Sequence, residues 1–184
     1  MPDDVRERAC AGEEGARQQI YAAVAPAAFA LIRRMIGNRS ASEDVFQDTM
    51  MTLFERLADF RQEAPLGAWL RQIAISRCLM HLRSPWRRAR FFIEGGETEL
   101  PTGVWPFASA PPPEVLDIER ALATLAPVAR AVIWMYEVEG YSHAEIALAF
   151  GRSVSFSKSQ LARAHLKLRA WFEPQGNRPT CTLS

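Results

Sequence analysis

A glycine- and proline-rich stretch in the middle of the chain limits how the chain can fold. Residues 94–113, EGGETELPTGVWPFASAPPP, contain five prolines and three glycines and have no hydrophobic periodicity. Proline removes a backbone donor and glycine adds conformational freedom, so such a stretch does not sustain a helix. We interpret it as an extended, flexible linker between two separately folded parts.

On both sides of this linker, apolar residues recur every three to four positions, as they do along one face of an α-helix. No convincing pair of strands is found. The sequence therefore predicts an all-α fold with two small helical domains, the C-terminal one a helix-turn-helix. The predicted helices lie at about 17–37, from 40 to 57 or 60, at 66–84, 113–125 and 127–138, followed by two more within 141–169.

The start of the second helix has two candidate caps. Gly37 and Asn38 suit the end of the preceding helix. Ser40 and Glu43 have the spacing of a capping box, and Ser42 is an alternative cap.

The net charge of +1 conceals a segregation of charge along the chain. Residues 64–93 contain six arginines and residues 146–172 contain five cations, in both cases without an acid. Residues 42–63 contain six acids against two arginines. Separate cationic stripes favour a polyanionic partner, although two solvated helix faces would also explain them.

Several classes of protein are disfavoured by the sequence. The N-terminus is charged and has no apolar signal core, and no apolar run reaches the roughly 18 residues of a membrane span. Cys10, Cys78 and Cys181 lie far apart, and no metal-ligand spacing or pair of nucleophile and base is found. We expect a cytoplasmic protein without disulfide, metal or cofactor, and an enzyme with an added helix-turn-helix is a disfavoured alternative.

Residues 141–169 have the pattern of a helix-turn-helix. Ser142 and Glu145 form a capping box, Gly151 suits the turn, and Ser153 suits the next N-cap. A recognition helix of this motif enters the major groove and meets bases and phosphates, whereas the alternative is a hairpin of a helical bundle. The outward face of the second helix would carry Ser155, Phe156, Lys158, Ser159, Gln160, Arg163 and Lys167.

The helix at 66–84 combines basic and aromatic residues, which suits single-stranded or melted DNA. A core tryptophan beneath a solvated basic face is the alternative. The outward residues of the helix would be Gln72, Ser76, Arg77, Met80 and Arg83. Four more basic or aromatic residues follow the helix: Trp86, Arg87, Arg88 and Arg90.

Three segments in this order resemble the extracytoplasmic-function (ECF) sigma factors of bacterial RNA polymerase. They are SEDVFQDTMMTLFERL, APLGAWLRQIAISRCLMHLR and LAPVARAVIWMYEVEGYSHAEIALAFGRSVSFSKSQLARAHLKLR, and together they cover most of residues 20–172. The chain departs from the family pattern at Ser157, where an aliphatic residue is usual, and at Gln160, where arginine is frequent. Further departures are Leu66, Gly67, Ser76 and Met80.

The resemblance implies core RNA polymerase, promoter DNA and an anti-sigma protein as partners, with no insertion into a membrane. It implies a region 2 domain at 1–93, the linker at 94–113, a region 4 domain at 114–172 that reads the −35 element, and a flexible tail at 173–184. A sigma-like decoy that binds an anti-sigma protein instead of DNA is the alternative function. The implied polymerase contacts are Asp44, Gln47, Asp48 and Glu55. The implied −10 contacts are Arg61, Gln72, Ser76, Arg77, Met80 and Arg83.

Overall fold

The computed structural model describes residues 3–84 and 113–173, and all the regular secondary structure in these two ranges is helical. The predicted all-α fold is thereby confirmed. The linker, the arginines at 87, 88 and 90, and Cys181 with most of the tail lie outside the described residues. The described helices are α1 (Asp3–Cys10), α2 (Glu14–Ile36), α3 (Arg39–Glu55), α4 (Leu66–Arg83), α5 (Pro113–Ala123), α6 (Pro127–Glu137), α7 (His143–Phe150) and α8 (Val154–Phe172), with a 3-10 turn at Leu57–Asp59.

The chain divides into two compact units, and α1–α4 belong to the first of them, called unit 1. In unit 1, α2, α3 and α4 pack against one another in pairs around fully buried Ile32, Leu53 and Leu70. The ring of Phe46 on α3 meets the ring of Phe29 on α2 edge-on, with 5.3 Å between centroids. This packing holds the outward faces of α3 and α4 on a common rigid core.

Helix α1 was not predicted from the sequence. It is only eight residues long, and only Val5 and Ala9 among its described side chains are buried. Its C-terminal carbonyls are partly satisfied from α2, because Arg17 Nε donates to the Ala9 carbonyl at 3.1 Å. Tertiary contact with α2 and the 3-10 turn therefore stabilises a helix whose own pattern is too short to identify.

The predicted caps of α3 are wrong. The N-cap is Asn38, whose Oδ1 accepts a hydrogen bond from the Ala41 amide at 2.9 Å. Ser42 is buried, and its hydroxyl donates to the Asn38 carbonyl at 2.6 Å. Glu43 pairs with Arg39 at 2.9 Å. The cap therefore lies two residues before the expected position, where Asn38 satisfies the amide of Ala41. Helix α3 ends at Glu55, short of the predicted 57–60.

Unit 2 contains α5–α8, and α8 packs against both α6 and α7. Val132, Met135 and Ile146 are fully buried at its centre. Arg130 is also buried, at 2% exposure, and its guanidinium donates to the carbonyls of Leu122 at 2.7 Å and Leu125 at 3.3 Å. Arg130 therefore joins α6 to the C-terminal end of α5 and to the turn that follows it.

By length and composition, α2 is the one helix within the described ranges that could cross a membrane. Half of the apolar stretch responsible is buried inside unit 1. The packing of α2 against α1, α3 and α4 accounts for this apolar character.

Candidate nucleic-acid interface

The connection between α7 and α8 has the local geometry that the sequence predicts for a helix-turn-helix. The Ser142 hydroxyl accepts from the Glu145 amide at 3.2 Å, and the Glu145 carboxylate accepts from the Ser142 amide at 2.8 Å. Hydrogen bonds from the Ser142 hydroxyl and amide lower the pKa of Glu145. Gly151 follows α7 with a φ of 61°, a left-handed conformation in which any side chain would be strained. The predicted capping box and turn are confirmed.

The start of α8 is held by a second cap and by an aromatic contact. The Ser153 hydroxyl accepts from the Phe156 amide at 3.3 Å, as predicted. The ring of Phe156 is half-buried and lies 5.9 Å, between centroids, from the ring of Phe150 on α7. Part of the Phe156 ring is therefore engaged inside unit 2, and the rest remains accessible on the outward side.

The outward face of α8 is cationic. No acid occurs between Val154 and Phe172. Ser155 and Ser159 are exposed near the start of the helix, and Gln160 is half-buried. Serine can contact phosphates or base edges, and glutamine can pair with the edge of a base. Three exposed cations of this face form no ion pair with a described residue: Lys158, Arg163 and Lys167.

The inward face of α8 carries one departure from the family pattern, and the structure explains it. Ser157 is completely buried, and its hydroxyl lies 3.0 Å from Nδ1 of His143, the first residue of α7. The His143 ring stacks on Tyr136 of α6 with 4.5 Å between centroids. The polar atom that the sequence placed in an apolar slot therefore has a hydrogen-bond partner, which sequence reasoning missed.

A second contact joins α8 to α6 at the surface. Nε2 of His165 lies 2.9 Å from Oε1 of Glu137, and both side chains are about half exposed. Sequence reasoning missed this pair as well, because the two residues are 28 positions apart. Helix α8 is thus attached by polar contacts to both α6 and α7.

In unit 1, four exposed side chains form a continuous stripe along α4. Their spacings of four, four and three residues place them on one side of the helix. Arg61 is exposed in the loop before α4, beside Gln62, whose φ of 58° is unusual for a residue other than glycine. The four residues of the α4 stripe are Gln72, Ser76, Met80 and Arg83, and all four were predicted to face outward.

Arg77 lies apart from this stripe. Its side chain is half-buried, and Nη2 donates to the Thr52 hydroxyl of α3 at 2.6 Å. The Thr52 hydroxyl in turn donates to the Asp48 carbonyl at 2.7 Å. Arg77 therefore connects α4 to α3, and its role as a contact to −10 DNA stays a prediction.

The outward face of α3 is acidic. The carboxylates of Asp44, Asp48 and Glu55 are exposed and have no ion-pair partner among the described residues. Gln47 is exposed beside them, and Met51 on the same face is 61% exposed. An exposed acidic face of this kind attracts a basic partner surface through its electrostatic potential.

Metal-binding groups do not cluster in residues 3–84 and 113–173, where no three His, Cys, Asp or Glu side chains lie close enough to hold an ion. Cys78 is completely buried in α4, and burial raises the pKa of its thiol far above the ordinary value. The Cys78 thiol therefore stays protonated and enclosed, which does not suit a nucleophile.

Comparisons with known proteins agree on one family. The Sigma-70 region 2 model matches residues 20–88, and the Sigma-70, region 4 model matches residues 116–168. RNA polymerase sigma factor CnrH of Cupriavidus metallidurans is 33% identical over 138 residues, which cover 70% of this chain and 71% of CnrH. ECF RNA polymerase sigma factor SigM of Mycobacterium tuberculosis is 30% identical over 129 residues, which cover 69% of this chain and 62% of SigM.

A solved structure supports the fold. The sigma factor RpoE, crystallised in complex with the anti-sigma factor NepR from Bartonella quintana, matches with a TM-score of 0.54 and 22% identity. The match covers 85% of this chain and 96% of that one.

Proposed function

Because the chain belongs to the ECF class of RNA polymerase sigma factors, we propose that unit 1 docks on core polymerase and that unit 2 reads promoter DNA. As a sigma factor, the chain directs core polymerase to specific promoters and initiates transcription there. The family consists of initiation factors, and we propose that this member has no enzymatic activity of its own.

The outward face of α8 carries the assignment of −35 recognition. Lys158, Arg163 and Lys167 are exposed and unpaired within the described part of the chain, so their charge is available to phosphates. Ser155, Ser159 and Gln160 lie near the N-terminal end of the helix, the end that approaches base edges in helix-turn-helix proteins. Phe156 would add contact with a thymine methyl through the accessible part of its ring.

We assign the exposed stripe of α4, with Arg61 and Arg77, to the −10 element. The stripe presents a cation, short polar groups and the flexible Met80 side chain, which is 52% exposed. Such a mixture suits an opened strand better than a duplex, because unstacked bases offer faces as well as edges. The internal hydrogen bond of Arg77 supports a role that combines DNA contact with the positioning of α4.

The acidic face of α3 is proposed to bind core polymerase through Asp44, Gln47, Asp48 and Glu55. The unpaired carboxylates would attract a basic partner surface and accelerate association. Met51, on the same face, would be the apolar centre of that contact.

We retain the proposed division into residues 1–93, a linker at 94–113, residues 114–172 and a tail at 173–184. We also propose that the protein acts in the cytoplasm, where its polymerase is found, and that an anti-sigma protein regulates it. The NepR complex of the Bartonella quintana sigma factor supports this last point by analogy.

The competing function is that of a sigma-like decoy, which would bind an anti-sigma protein and not DNA. Such a protein has no use for a cationic recognition face. The unpaired cations of α8 therefore favour the promoter-directing function over the decoy.

Transcription in vitro by core polymerase supplemented with this chain, on a library of genomic promoters, tests the proposal. The expected result is a set of transcripts that requires the chain and shares a −35 and a −10 element. A chain that binds core polymerase but yields no such transcripts, while still binding an anti-sigma protein, would support the decoy instead.

A further inference from the structure

Ser157 and His143 join the beginnings of α7 and α8. His143 is the first residue of α7, and Ser157 is the fourth residue of α8. The hydroxyl and Nδ1 lie 3.0 Å apart, and no part of Ser157 is exposed to solvent. This partly buried polar pair lies next to the side chains proposed to read bases, since Ser155, Ser159 and Gln160 are within three positions of Ser157.

The imidazole is fixed on two sides. Tyr136, in the last turn of α6, stacks on its face with an angle of 21° between the ring planes. Ser157 occupies its Nδ1 edge. Three helices therefore meet at one ring, because His143 of α7 contacts Tyr136 of α6 and Ser157 of α8.

We propose that the His143–Ser157 hydrogen bond sets the rotation of α8 about its own axis, and so decides which base edges its outward side chains reach. The proposal rests on the function assigned above to α8. Aliphatic contacts are non-directional and allow a helix to rotate, whereas a hydrogen bond restricts both distance and angle. His143 and Ser157 are thus positioning residues, which act on specificity through Ser155, Ser159 and Gln160.

The geometry of a helix shows why a small rotation matters. A side-chain atom about 5–6 Å from the axis moves by about 1 Å when the helix turns by about 10°. A displacement of about 1 Å takes a hydrogen bond from its preferred length to one that no longer stabilises the contact. A rotation of this size would therefore reduce discrimination between base pairs more than it reduces the overall affinity for DNA.

The test compares Ser157→Thr with Ser157→Val. Threonine and valine have nearly the same shape and add the same methyl group, so the two variants differ mainly in the hydroxyl. The full-length protein is assembled with core polymerase, and binding is measured to the preferred −35 element and to single-base-pair variants of it. We expect Ser157→Thr to stay within about twofold of wild-type discrimination and Ser157→Val to lose about fivefold or more at one or more base pairs.

His143→Phe provides an independent variant, because a phenyl ring keeps the stack on Tyr136 and removes only the hydrogen bond. It should reproduce the loss seen in Ser157→Val, and it replaces that variant if valine prevents folding, as judged by thermal unfolding. Equal discrimination by the threonine and valine variants, or wild-type discrimination by His143→Phe, would overturn the positioning role. The −35 preference of the wild-type protein is measured before any variant is tested. Absence of any preference in the wild type would overturn the proposed function instead of the positioning role.

Discussion

Replacement of Lys158 by alanine tests whether the cations of α8 contact phosphate. Each phosphate contact contributes about 0.9 to the slope of log affinity against log salt concentration. Lys158, Arg163 and Lys167, all unpaired within the described residues, would together contribute about 2.7. An increase from about 50 to 200 mM salt should then weaken DNA binding about 40-fold through this helix, and Lys158→Ala should remove about 3.5-fold of that dependence.

The measurement is binding of the assembled polymerase to fluorescent promoter DNA over a series of salt concentrations. Arg120→Ala is the matched control, because Arg120 is an exposed cation of unit 2 that already pairs with Asp117 at 3.5 Å. The control should leave the slope unchanged. Gln160→Ala should also leave the slope unchanged but relax preference at one base pair, at a cost of about 1–3 kcal/mol. An unaltered slope in Lys158→Ala, or an effect confined to one −35 sequence, would refute the phosphate assignment.

Three further outcomes are expected. Asp48→Lys should weaken binding to core polymerase about tenfold in a competition assay, with unchanged helicity by circular dichroism, because it reverses an unpaired charge on the proposed docking face; unaltered affinity would refute the assignment. Arg77→Ala should lower the free energy of unfolding by about 1–2 kcal/mol through loss of its hydrogen bond to Thr52. In a double-mutant cycle measured by chemical denaturation, the effects of Arg77→Ala and Thr52→Val on this free energy should not add. Additive effects would exclude a coupled pair. The hydrogen bonds from Ser142 lower the pKa of Glu145 below 4.5, so their stabilisation is present above pH 4.5 and is lost as the pH falls through the lowered pKa. The unfolding temperatures of wild type and Glu145→Gln should therefore converge at still lower pH. A difference that stays constant with pH would contradict this account.

The features that were predictable from the sequence are those whose partners are neighbours in the chain. The Ser142–Glu145 capping box and the turn at Gly151 need only residues three to four positions away, and both are present as expected. Helical periodicity likewise identified α2, α4 and the two helices of the C-terminal motif. The predicted cap of α3 was wrong because Asn38 was assigned to the end of the preceding helix and the cap was expected at Ser40 or Ser42, and local spacing alone does not rank these polar residues.

The features that were not predictable depend on which helices pack together. Helix α1 has two buried apolar side chains, too few to show a period, and it is stabilised by contact with α2. The site residues of α4 were singled out by their place on a helix face, and Gln72, Ser76, Met80 and Arg83 are exposed as expected, whereas Arg77 is half-buried. Periodicity identifies an outward face, but it does not reveal which of its polar atoms already have partners inside the protein.

Ser157 and Arg77 illustrate the consequence for function. Considered by itself, a serine at a core position of a helix suggests that the helix packs poorly. An arginine in a basic helix suggests a DNA contact. Each instead has a partner on another helix, 14 residues away for Ser157 and 25 for Arg77. A hydrogen bond of this kind occupies a polar atom of the side chain and makes the placement of its helix depend on that contact. Substitution of Ser157 should therefore alter DNA recognition through the orientation of the neighbouring exposed residues, which remain chemically intact, and substitution of Arg77 should add this effect to the loss of its own proposed DNA contact.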